Sequence, residues 1–411
     1  MSRHPLYVIL LCLLCAAPLS AQSGFYMPKS QRQVEIPFEY VNNFIILTIT
    51  VNNLFPLKFI FDTGAEHTII SKRELTDLMR MEYEREFRVT GSDMKTELIA
   101  YLVRRVRFDI PEKVVAPSQD ILVLQEDYFR FEEYAGVNVH VILAANVFAK
   151  YLIKINYQRR VMTLYERDEQ KHPEAGFTEI PVEIFRNKIY LNTKLFLQSN
   201  MAVPVKLLVD TGAGLPLLLF SNTDTLVHPP ANAIPTNIGM GLGGYLDGFT
   251  GRVPGLDLGA FHQQNIITYF QTLDSAAHDM DYLNQRNGLI GNVLLNRFLL
   301  LLDYQEEKIW LKPTKAYTEA FVYDRSGLNI IASGPSLNNF TVQSVLPGSP
   351  AEQADIRRGD VIMRVGPTPV GLLALADIQR ILQKKPGKKI KIVIRRERTR
   401  MKKQIVLREL L

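Results

Sequence analysis

Two short stretches of this chain combine residue types that could activate water. FIFDTGAEHTII (59–70) and LLVDTGAGLPLL (207–218) each place Asp-Thr-Gly-Ala directly after an apolar run. A carboxylate at the end of a buried run is costly unless something there needs it. Two carboxylates a few ångströms apart cannot both ionise easily, so they share one proton. The ionised member can then take a proton from a bound water while the protonated member polarises a carbonyl group, which predicts hydrolysis without a covalent intermediate.

The two stretches belong to an internal repeat. Asp62 and Asp210 are 210 − 62 = 148 residues apart. ILAANVFAKYLIKINY (142–157) aligns without a gap with LIGNVLLNRFLLLLDY (289–304), which begins 289 − 142 = 147 residues later. Because two separate segments keep one spacing, the sequence predicts two copies of one β-rich unit of about 150 residues. If the copies pack about a pseudo-twofold axis, the two aspartates become neighbours.

The residues that follow each aspartate suit such a meeting of turns. Gly64 and Gly212 permit tight turns that a Cβ would obstruct. The hydroxyl groups of Thr63 and Thr211 can link the turns by hydrogen bonds to the opposite backbone. A single Asp-Thr-Gly is typical of an ordinary β-turn. Two at matched repeat positions, each after an apolar strand, favour one shared catalytic site.

On these motifs the chain resembles the aspartic peptidase superfamily in its retropepsin-like form, over roughly residues 34–313. The resemblance implies an all-β fold of two pseudo-twofold-related β-barrel lobes. It also implies that Asp62 and Asp210 form the catalytic pair and that no cofactor is required. The alanine after each Asp-Thr-Gly, at Ala65 and Ala213, is similar to the retroviral enzymes.

Family members brace each catalytic turn with an apolar-apolar-Gly element before a short helix. Gly291 completes this element in the second unit, whereas Ala144 stands in its place in the first. A second departure is Pro216, where the first unit has Thr68. These departures leave open a non-catalytic peptide-binding protein that keeps the fold. Retention of both aspartates, both threonines and both turn glycines favours the enzyme.

A glycine-rich segment in the second unit, IGMGLGGYLDG (238–248), resembles the mobile flap of retropepsins. A hairpin that closes over an extended peptide needs little side-chain bulk and flexible backbone angles. The residues predicted to face substrate are Gly241, Gly243, Gly244 and Tyr245. The first-unit counterpart, VTGSDMKT (89–96), has one glycine, so two unequal flaps are expected. The alternative is a surface glycine loop.

The C-terminal region has a different texture. GSPAEQADIRRGDVI (348–362) resembles the PDZ domain of bacterial proteases, and SGLNI (326–330) stands where that family has its carboxylate-binding loop. There, backbone N–H groups hold a terminal carboxylate, and the following strand pairs with the peptide by β-augmentation. The residues implied are Gly327, Leu328, Asn329 and Ile330, the first three through their N–H groups. The alternative is a PDZ domain that only packs on the peptidase or caps its cleft.

The length of the chain and its N-terminal segment predict the domain boundaries and a signal peptide. A chain of 411 residues predicts two or three domains. The predicted boundaries are 1–21 for a signal peptide, 34–170 and 176–313 for the two lobes, and 321–411 for an α+β PDZ domain.

The N-terminal segment is typical of a secretory signal. It has a basic start, an apolar run too short for a comfortable membrane span, and small residues at 20–21. Cys12 and Cys15 leave with it, so the mature chain has no thiol, and a periplasmic or extracellular location is expected. A retained N-terminal anchor is the alternative.

The charge of the chain is uneven. The formal net charge is +6, but residues 321–411 hold 17 Lys+Arg and 7 Asp+Glu, a net +10, which leaves 6 − 10 = −4 for the rest. A basic domain can indicate nucleic acid or an anionic membrane. The charges alternate with apolar residues in KKIKIVIRRER, which favours a solvated strand face. No nucleic acid and no stable membrane span after signal cleavage are expected.

Other chemistries find little support in the sequence. The seven histidines are scattered and no HExxH or comparable metal-ligand spacing occurs, so no metal or cofactor is expected. His67, just past the first turn, is predicted to have a surface or packing role. The sequence therefore predicts an exported, single-chain aspartic endopeptidase. Its expected partners are a peptide or protein substrate and a C-terminal peptide on the PDZ domain.

Overall fold

The computed structural model describes residues 24–91, 96–127, 131–168, 173–198, 201–241, 244–273 and 286–411. The predicted signal peptide, 1–21, lies outside the described residues. Within the described ranges, no helix is both long enough and apolar enough to cross a bilayer.

The first half of the chain forms a β-rich lobe, because its segments alternate buried apolar with exposed residues at the period of a strand. Its elements are β1 (Gln33–Pro37), β2 (Glu39–Val41), β3 (Phe44–Val51), β4 (Phe55–Asp62), β5 (Ile69–Ile70), α1 (Arg73–Leu78), β6 (Arg85–Thr90), β7 (Glu97–Ile110), β8 (Val114–Leu124), α2 (Phe131–Ala135), β9 (Val141–Ala144), β10 (Leu152–Asn156) and β11 (Val161–Tyr165). A 3-10 turn, Ala145–Phe148, directly follows β9.

The second half repeats this series. Its elements are β12 (Thr178–Pro181), β13 (Glu183–Phe185), β14 (Lys188–Gln198), β15 (Met201–Val209), β16 (Leu217–Phe220), β17 (Ile234–Gly241), β18 (Gly244–Leu258), β19 (Phe261–Gln271), β20 (Gly288–Ile290), α3 (Asn292–Leu295), β21 (Phe298–Asp303) and β22 (Lys308–Pro313). A 3-10 turn, Lys315–Thr318, begins the connection to the C-terminal domain.

The two halves have the same sheet topology. One sheet has the order β2-β3-β4-β9-β5-β8-β7-β6 and the other β13-β14-β15-β20-β16-β19-β18-β17. In matching parallel pairs, Phe59 lies opposite Val141 and Leu207 lies opposite Gly288. The offsets are 207 − 59 = 148 and 288 − 141 = 147, the same as in the sequence repeat. The predicted pair of pseudo-twofold-related lobes is therefore confirmed.

A six-stranded sheet joins the lobes in the order β1-β11-β10-β21-β22-β12. The pseudo-twofold axis passes between β10 and β21, where Lys154 lies opposite Leu301. Buried side chains from both lobes form one continuous cluster above this sheet. Phe25 and Met27 belong to that cluster, so the packed chain begins before the predicted boundary at residue 34. The lobes thus share one core.

The C-terminal domain is α+β, as predicted, and has a hydrophobic core of its own. Its elements are β23 (Leu328–Ser333), β24 (Asn339–Val345), α4 (Pro350–Gln353), β25 (Val361–Val365), β26 (Thr368–Pro369), α5 (Leu375–Leu382), β27 (Lys389–Arg396) and β28 (Thr399–Val406). The sheet order is β23-β24-β25-β27-β28, with β26 paired to β25. In β27, Lys389 and Lys391 are exposed while Ile390 and Ile392 are buried, so these lysines lie on a solvated face.

Candidate active site

The two candidate catalytic residues lie at the ends of matched strands. Asp62 ends β4 and Asp210 directly follows β15. Their carboxyl groups face each other across the pseudo-twofold axis, each against the opposite turn glycine, and lie close enough for their charges to interact. The N–H groups of Gly64 and Ala65 donate to Asp62 Oδ1 at 2.7 and 3.0 Å. Gly212 N–H donates to Asp210 Oδ1 at 2.8 Å, so each turn orients its own carboxyl group.

The threonines link the two turns. Thr63 N–H donates to Thr211 Oγ1 at 3.1 Å, and Thr211 N–H donates to Thr63 Oγ1 at 3.0 Å. Each hydroxyl in turn donates across the axis, Thr63 to the carbonyl of Val209 at 2.6 Å and Thr211 to that of Phe61 at 2.8 Å. Both threonines are fully buried, so every one of these groups would be costly to leave without a partner. The network fixes the spacing of the two aspartates.

Glycine is needed where the turns approach each other. A Cβ added to Gly64 would lie 2.7 Å from Asp210 Cγ, and one added to Gly212 would collide with the carboxyl group of Asp62. Contacts this short do not occur for real side chains, so any larger residue would push the carboxyl groups apart. The two glycines therefore permit the carboxyl pair to form.

In each lobe, the residue that departs from the family pattern takes part in a hydrogen bond that supports the turn. In the first lobe, the N–H of Ala144 donates to the hydroxyl of Thr68 at 3.2 Å. In the second lobe, the N–H of Gly291 donates to the carbonyl oxygen of Pro216 at 3.1 Å. A Cβ on Gly291 would collide with the carbonyl oxygens of neighbouring turn residues, whereas Ala144 is fully accommodated. Each lobe therefore braces its catalytic turn with its own acceptor.

Sequence reasoning missed Asn292, which supports the second turn. Its side-chain amide donates to the carbonyl of Thr211 at 2.5 Å, and its N–H donates to the carbonyl of Ala213 at 2.8 Å. The hydroxyl of Tyr157 donates to Asn292 Oδ1 at 2.8 Å from the first lobe. The repeat alignment held a signal, because the matching position in the first unit is Ala145. A buried polar residue in only one copy indicates a role specific to that copy.

Burial raises the pKa of both aspartates, and at Asp62 the charge of Asp210 raises the pKa further. At Asp210 the guanidinium of Arg286, and to a lesser extent the ammonium of Lys188, holds the pKa back. The two N–H groups on Asp62 act in the opposite sense, but burial and the neighbouring charge outweigh them. Arg286 therefore favours the ionised form of Asp210, whereas burial and the charge of Asp210 favour the protonated form of Asp62.

These cations are held close to the cleft. Lys188 is buried at the start of β14, with Nζ 3.8 Å from Glu66 Oε2. The Arg286 guanidinium lies 5.5 Å from the ring centroid of Phe220. The exposed His67 lines the cleft, with Nε2 3.7 Å from Glu66 Oε1. In the part of the chain that the structure describes, no three His, Cys, Asp or Glu side chains gather as a metal ion would need.

A cavity of about 1880 Å³ extends from the aspartates beneath two hairpins. The first hairpin is β6–β7 and the second is β17–β18, at matching places in the two lobes. Ligand pockets for small molecules are typically about 300–1,000 Å³. The cavity is therefore large enough for a stretch of polypeptide.

The predicted flap is the second hairpin. Gly241 ends β17 and lines the cavity, and Gly244 begins β18 with φ +121°, in the region that favours glycine. Tyr245 pairs with Met240 through the backbone. Gly243 lies outside the described residues.

The predicted carboxylate-binding loop needs a correction. Gly327 N–H donates to Asp324 Oδ1 at 2.6 Å, and Leu328 N–H donates to Ser326 Oγ at 3.1 Å. Two of the three N–H groups predicted to hold a terminal carboxylate are thus engaged within the loop itself. Asp324 was missed because the loop motif was matched only from Ser326 onward. Ile330 lines the cavity, so the strand keeps its predicted position beside a groove.

The C-terminal domain is docked on both lobes. The Tyr134 hydroxyl, next to the end of α2, donates to Asn237 Oδ1 in β17 and accepts from Asn329 Nδ2 at 3.3 Å. Tyr323 in the connection shares a hydrogen bond of 3.4 Å with Thr236 in the same flap strand. A single tyrosine hydroxyl thus joins the first lobe, the flap and the C-terminal domain.

Comparison with known proteins identifies part of the chain. The family model of the PDZ domain matches residues 341–396. No curated protein matches the chain. Among solved structures, an aspartic proteinase from Irpex lacteus is similar with a TM-score of 0.45 and 12% identity, over 70% of this chain and 98% of that one. The photosystem II D1 C-terminal processing protease is 31% identical over 21% of this chain and 23% of that one, with a TM-score of 0.20. Both solved structures are proteases.

Proposed function

We propose that this chain is an exported aspartic-type endopeptidase that hydrolyses peptide bonds with water activated between Asp62 and Asp210. The observation that carries the proposal is the pair of buried, facing carboxyl groups in a cleft of polypeptide size. The threonine network adds support because it holds that pair at a fixed spacing.

The roles follow from the surroundings of the two aspartates. Asp210, ionised beside Arg286, takes a proton from a water held between the carboxyl groups. Asp62, which holds the shared proton, donates it to the carbonyl oxygen as the water oxygen bonds to the carbonyl carbon. The proton on Asp210 then passes to the departing amine nitrogen as the C–N bond breaks. At the same time one hydroxyl group of the tetrahedral carbon returns its proton to Asp62 as the C=O double bond re-forms, which releases the carboxylic acid and the amine and restores the starting pair.

Two observations favour this function over a non-catalytic peptide-binding protein. The alternative rested on Ala144 and Pro216. Both positions take part in a satisfied bracing hydrogen bond, so neither distorts its turn. The bracing supports an intact catalytic pair.

Single asparagine variants of each aspartate provide the test. In Asp62→Asn and Asp210→Asn, we expect cleavage of an unstructured protein such as β-casein to fall by about 10²–10⁴-fold or more, because proton transfer is lost. Asp120→Asn is the control, since Asp120 is an exposed carboxylate that lines the same cleft. It should change the rate by less than about twofold. Mass spectrometry of the products over pH 3–8 would measure all four proteins.

Two results would decide against the proposal. If either single variant cleaves as fast as the natural chain, the aspartates do not act as one pair. If the natural chain cleaves nothing but still binds peptides, it is a non-catalytic peptide-binding protein.

A further inference from the structure

The two ends of the catalytic cleft differ in charge, although matching elements build them. At the second-lobe end, the turn between β13 and β14 carries Arg186 and leads into Lys188, and Arg286 lies two residues before β20. All three cations line the cavity that holds Asp62 and Asp210. Arg286 lowers the pKa of Asp210 more than any other group does, so this cluster of cations lies beside the catalytic pair.

The first lobe has neutral residues at the matching positions. In both lobes a two-residue turn joins the first two strands of the sheet, and the residues around it pair, Val41 with Phe44 and Phe185 with Lys188. This register places Phe44 at the position of Lys188. The matches are Asn42 for Arg186, Phe44 for Lys188 and, at the offset of 286 − 139 = 147 found for β9 and β20, Val139 for Arg286. The three cations are therefore specific to one end of the cleft.

The first-lobe end is apolar and packed. A Cβ added to Gly214 would lie 2.8 Å from Phe44 Cζ, so the phenyl ring lies directly against the second catalytic turn. The same ring contacts Phe131 of α2, with the ring centroids 4.8 Å apart. Val139 is buried in the same cluster of side chains. At this end the cleft therefore meets apolar side chains of the chain itself.

At the second-lobe end, charged residues replace this apolar contact. Glu66 has the position that Gly214 has in the other turn, since 214 − 66 = 148. Lys188 Nζ lies 3.8 Å from Glu66 Oε2, and the lysine side chain is only 6% exposed. Burial and then the charge of Arg286 lower the pKa of Lys188, and the charge of Glu66 offsets them only in part. A further carboxylate beside this buried cation would therefore be stabilised.

The three cations extend from the rim of the cleft to its base. Arg186 is exposed, Arg286 is half-buried and Lys188 is buried. Aromatic rings support both guanidinium groups, with Phe185 at 5.6 Å from that of Arg186 and Phe220 at 5.5 Å from that of Arg286. Guanidinium groups held in this way suit the planar carboxylate of an Asp or Glu side chain. The side chain of a bound polypeptide can reach such groups without leaving the cleft.

We propose that Arg186, Lys188 and Arg286 form a cationic subsite that binds an acidic side chain of the substrate, at one position on one side of the bond to be cleaved. The inference rests on the proposed peptidase function, since it places the rest of the substrate across Asp62 and Asp210. The substrate class is a polypeptide with Asp or Glu at that position. Because the matching residues of the first lobe are neutral, the other side of the bond has no equivalent preference. The subsite therefore also fixes the direction in which the substrate lies.

Cleavage of a peptide library tests the preference. Peptides from a digested bacterial proteome are incubated with the natural chain at about pH 6, where Glu side chains are ionised, and the cleaved bonds are identified by mass spectrometry. We expect Asp and Glu to be enriched at one position, on one side of the cleaved bond. A cleaved peptide is then made with Glu and with Gln at that position. The Glu peptide should have a kcat/KM at least about tenfold higher, because a charged group in a partly buried site discriminates between a carboxylate and its neutral isostere.

Removal of single charges provides the matched test on the protein. Lys188→Met and Arg186→Gln should each reduce the Glu-to-Gln ratio of kcat/KM by at least about threefold, because each removes one cation that faces the substrate carboxylate. Arg88→Gln is the control, since Arg88 lines the same cavity from the first hairpin, and it should keep the ratio of the natural chain. The ratio is measured within each protein, so a general loss of activity cancels. If Lys188→Met does not fold, Arg186→Gln, at an exposed turn, decides.

The possible failures are separable. Cleavage without enrichment of acidic residues, or a Glu-to-Gln ratio that survives in Arg186→Gln, overturns the subsite and leaves the peptidase proposal standing. If no peptide is cleaved at all, the peptidase proposal fails, and the subsite is tested by binding. Labelled β-casein peptides and counterparts with every Glu replaced by Gln are then compared by fluorescence anisotropy. Tighter binding of the Glu peptides that is weakened in Arg186→Gln would support the subsite, and equal binding would overturn it.

Discussion

At the scale of single residues, the two aspartates differ mainly in the charges beside them. Both follow an apolar strand and both carry the same three residues after them. Arg286 and Lys188 hold back the pKa of Asp210, whereas Asp62 receives no comparable help from Arg286. The asymmetry favours a proton on Asp62 and a charge on Asp210. It comes from residues far from both motifs in sequence, so the motifs alone predict the pair but not which member is ionised.

The first prediction concerns Arg286. The proposed mechanism requires one proton on the pair, so activity should be lost on the acid side when Asp210 becomes protonated. Because Arg286 lowers the pKa of Asp210, Arg286→Gln should raise that pKa and move the acid limb of the kcat profile to higher pH. The alkaline limb, set by Asp62, should move less. The measurement is the pH–rate profile, with Arg186→Gln, another arginine of the cleft, as the control that leaves the acid limb in place.

The second prediction concerns Thr68. Its hydroxyl is buried and accepts the N–H of Ala144, so Thr68→Val leaves a buried donor without a partner. This should lower the free energy of unfolding by about 1–3 kcal/mol. Thr48→Val, on an exposed position of β3, should stay within about 0.5 kcal/mol. Urea unfolding of the two variants gives the comparison, and equal stabilities would show that Ala144 does not depend on this acceptor.

At the scale of elements, the internal repeat made most of the fold predictable. One spacing of 147–148 residues placed both sheets, both hairpins and both catalytic turns at matching positions. The joining sheet was not predicted, because the pairing of β10 with β21 depends on contacts between two similar apolar strands. The docking of α2 on the C-terminal domain was not predicted either, since it depends on Tyr134, a residue within no repeated or periodic pattern.

The third prediction concerns this docking. Tyr134→Phe removes the hydroxyl that binds both Asn237 and Asn329, and nothing else. Loss of about 0.5–1.5 kcal/mol per hydrogen bond should speed local opening of β17 by roughly two- to tenfold. Hydrogen exchange of residues 234–241 measures this directly. Tyr165→Phe, in the joining sheet, is the control and should leave that exchange rate unchanged. Unchanged exchange in both variants would mean that the flap does not depend on the docked domain.

At the scale of the whole molecule, three parts surround one cavity. The lobes share a hydrophobic core, so neither lobe is a complete unit. The C-terminal domain has a separate core but lines the same cavity as the aspartates. Residues of the segment that connects it to the second lobe, 321–327, line this cavity too. Asp324 lies in that segment, where Tyr269 of the second lobe and Tyr323 face it.

The last prediction concerns the pH dependence that Asp324 confers. Burial raises its pKa to about 6, above the roughly 3.9 of an unfolded chain. The folded chain therefore binds more protons between these values, and its stability falls as pH rises from about 4 to 6, by about 3 kcal/mol. Tyr269 and Tyr323 stay neutral there because burial raises the pKa of both. Asp324→Asn should abolish this slope.

Hydrogen exchange of β23 and β24 across pH 4–8, corrected for the intrinsic rate, isolates the C-terminal domain from the lobes. Glu397→Gln, at an exposed carboxylate of the same domain, should keep the slope of the natural chain. A slope that persists in Asp324→Asn would assign the pH dependence to another group. A slope that disappears would show that the buried carboxyl group of Asp324 is the group whose deprotonation destabilises the C-terminal domain as the pH rises.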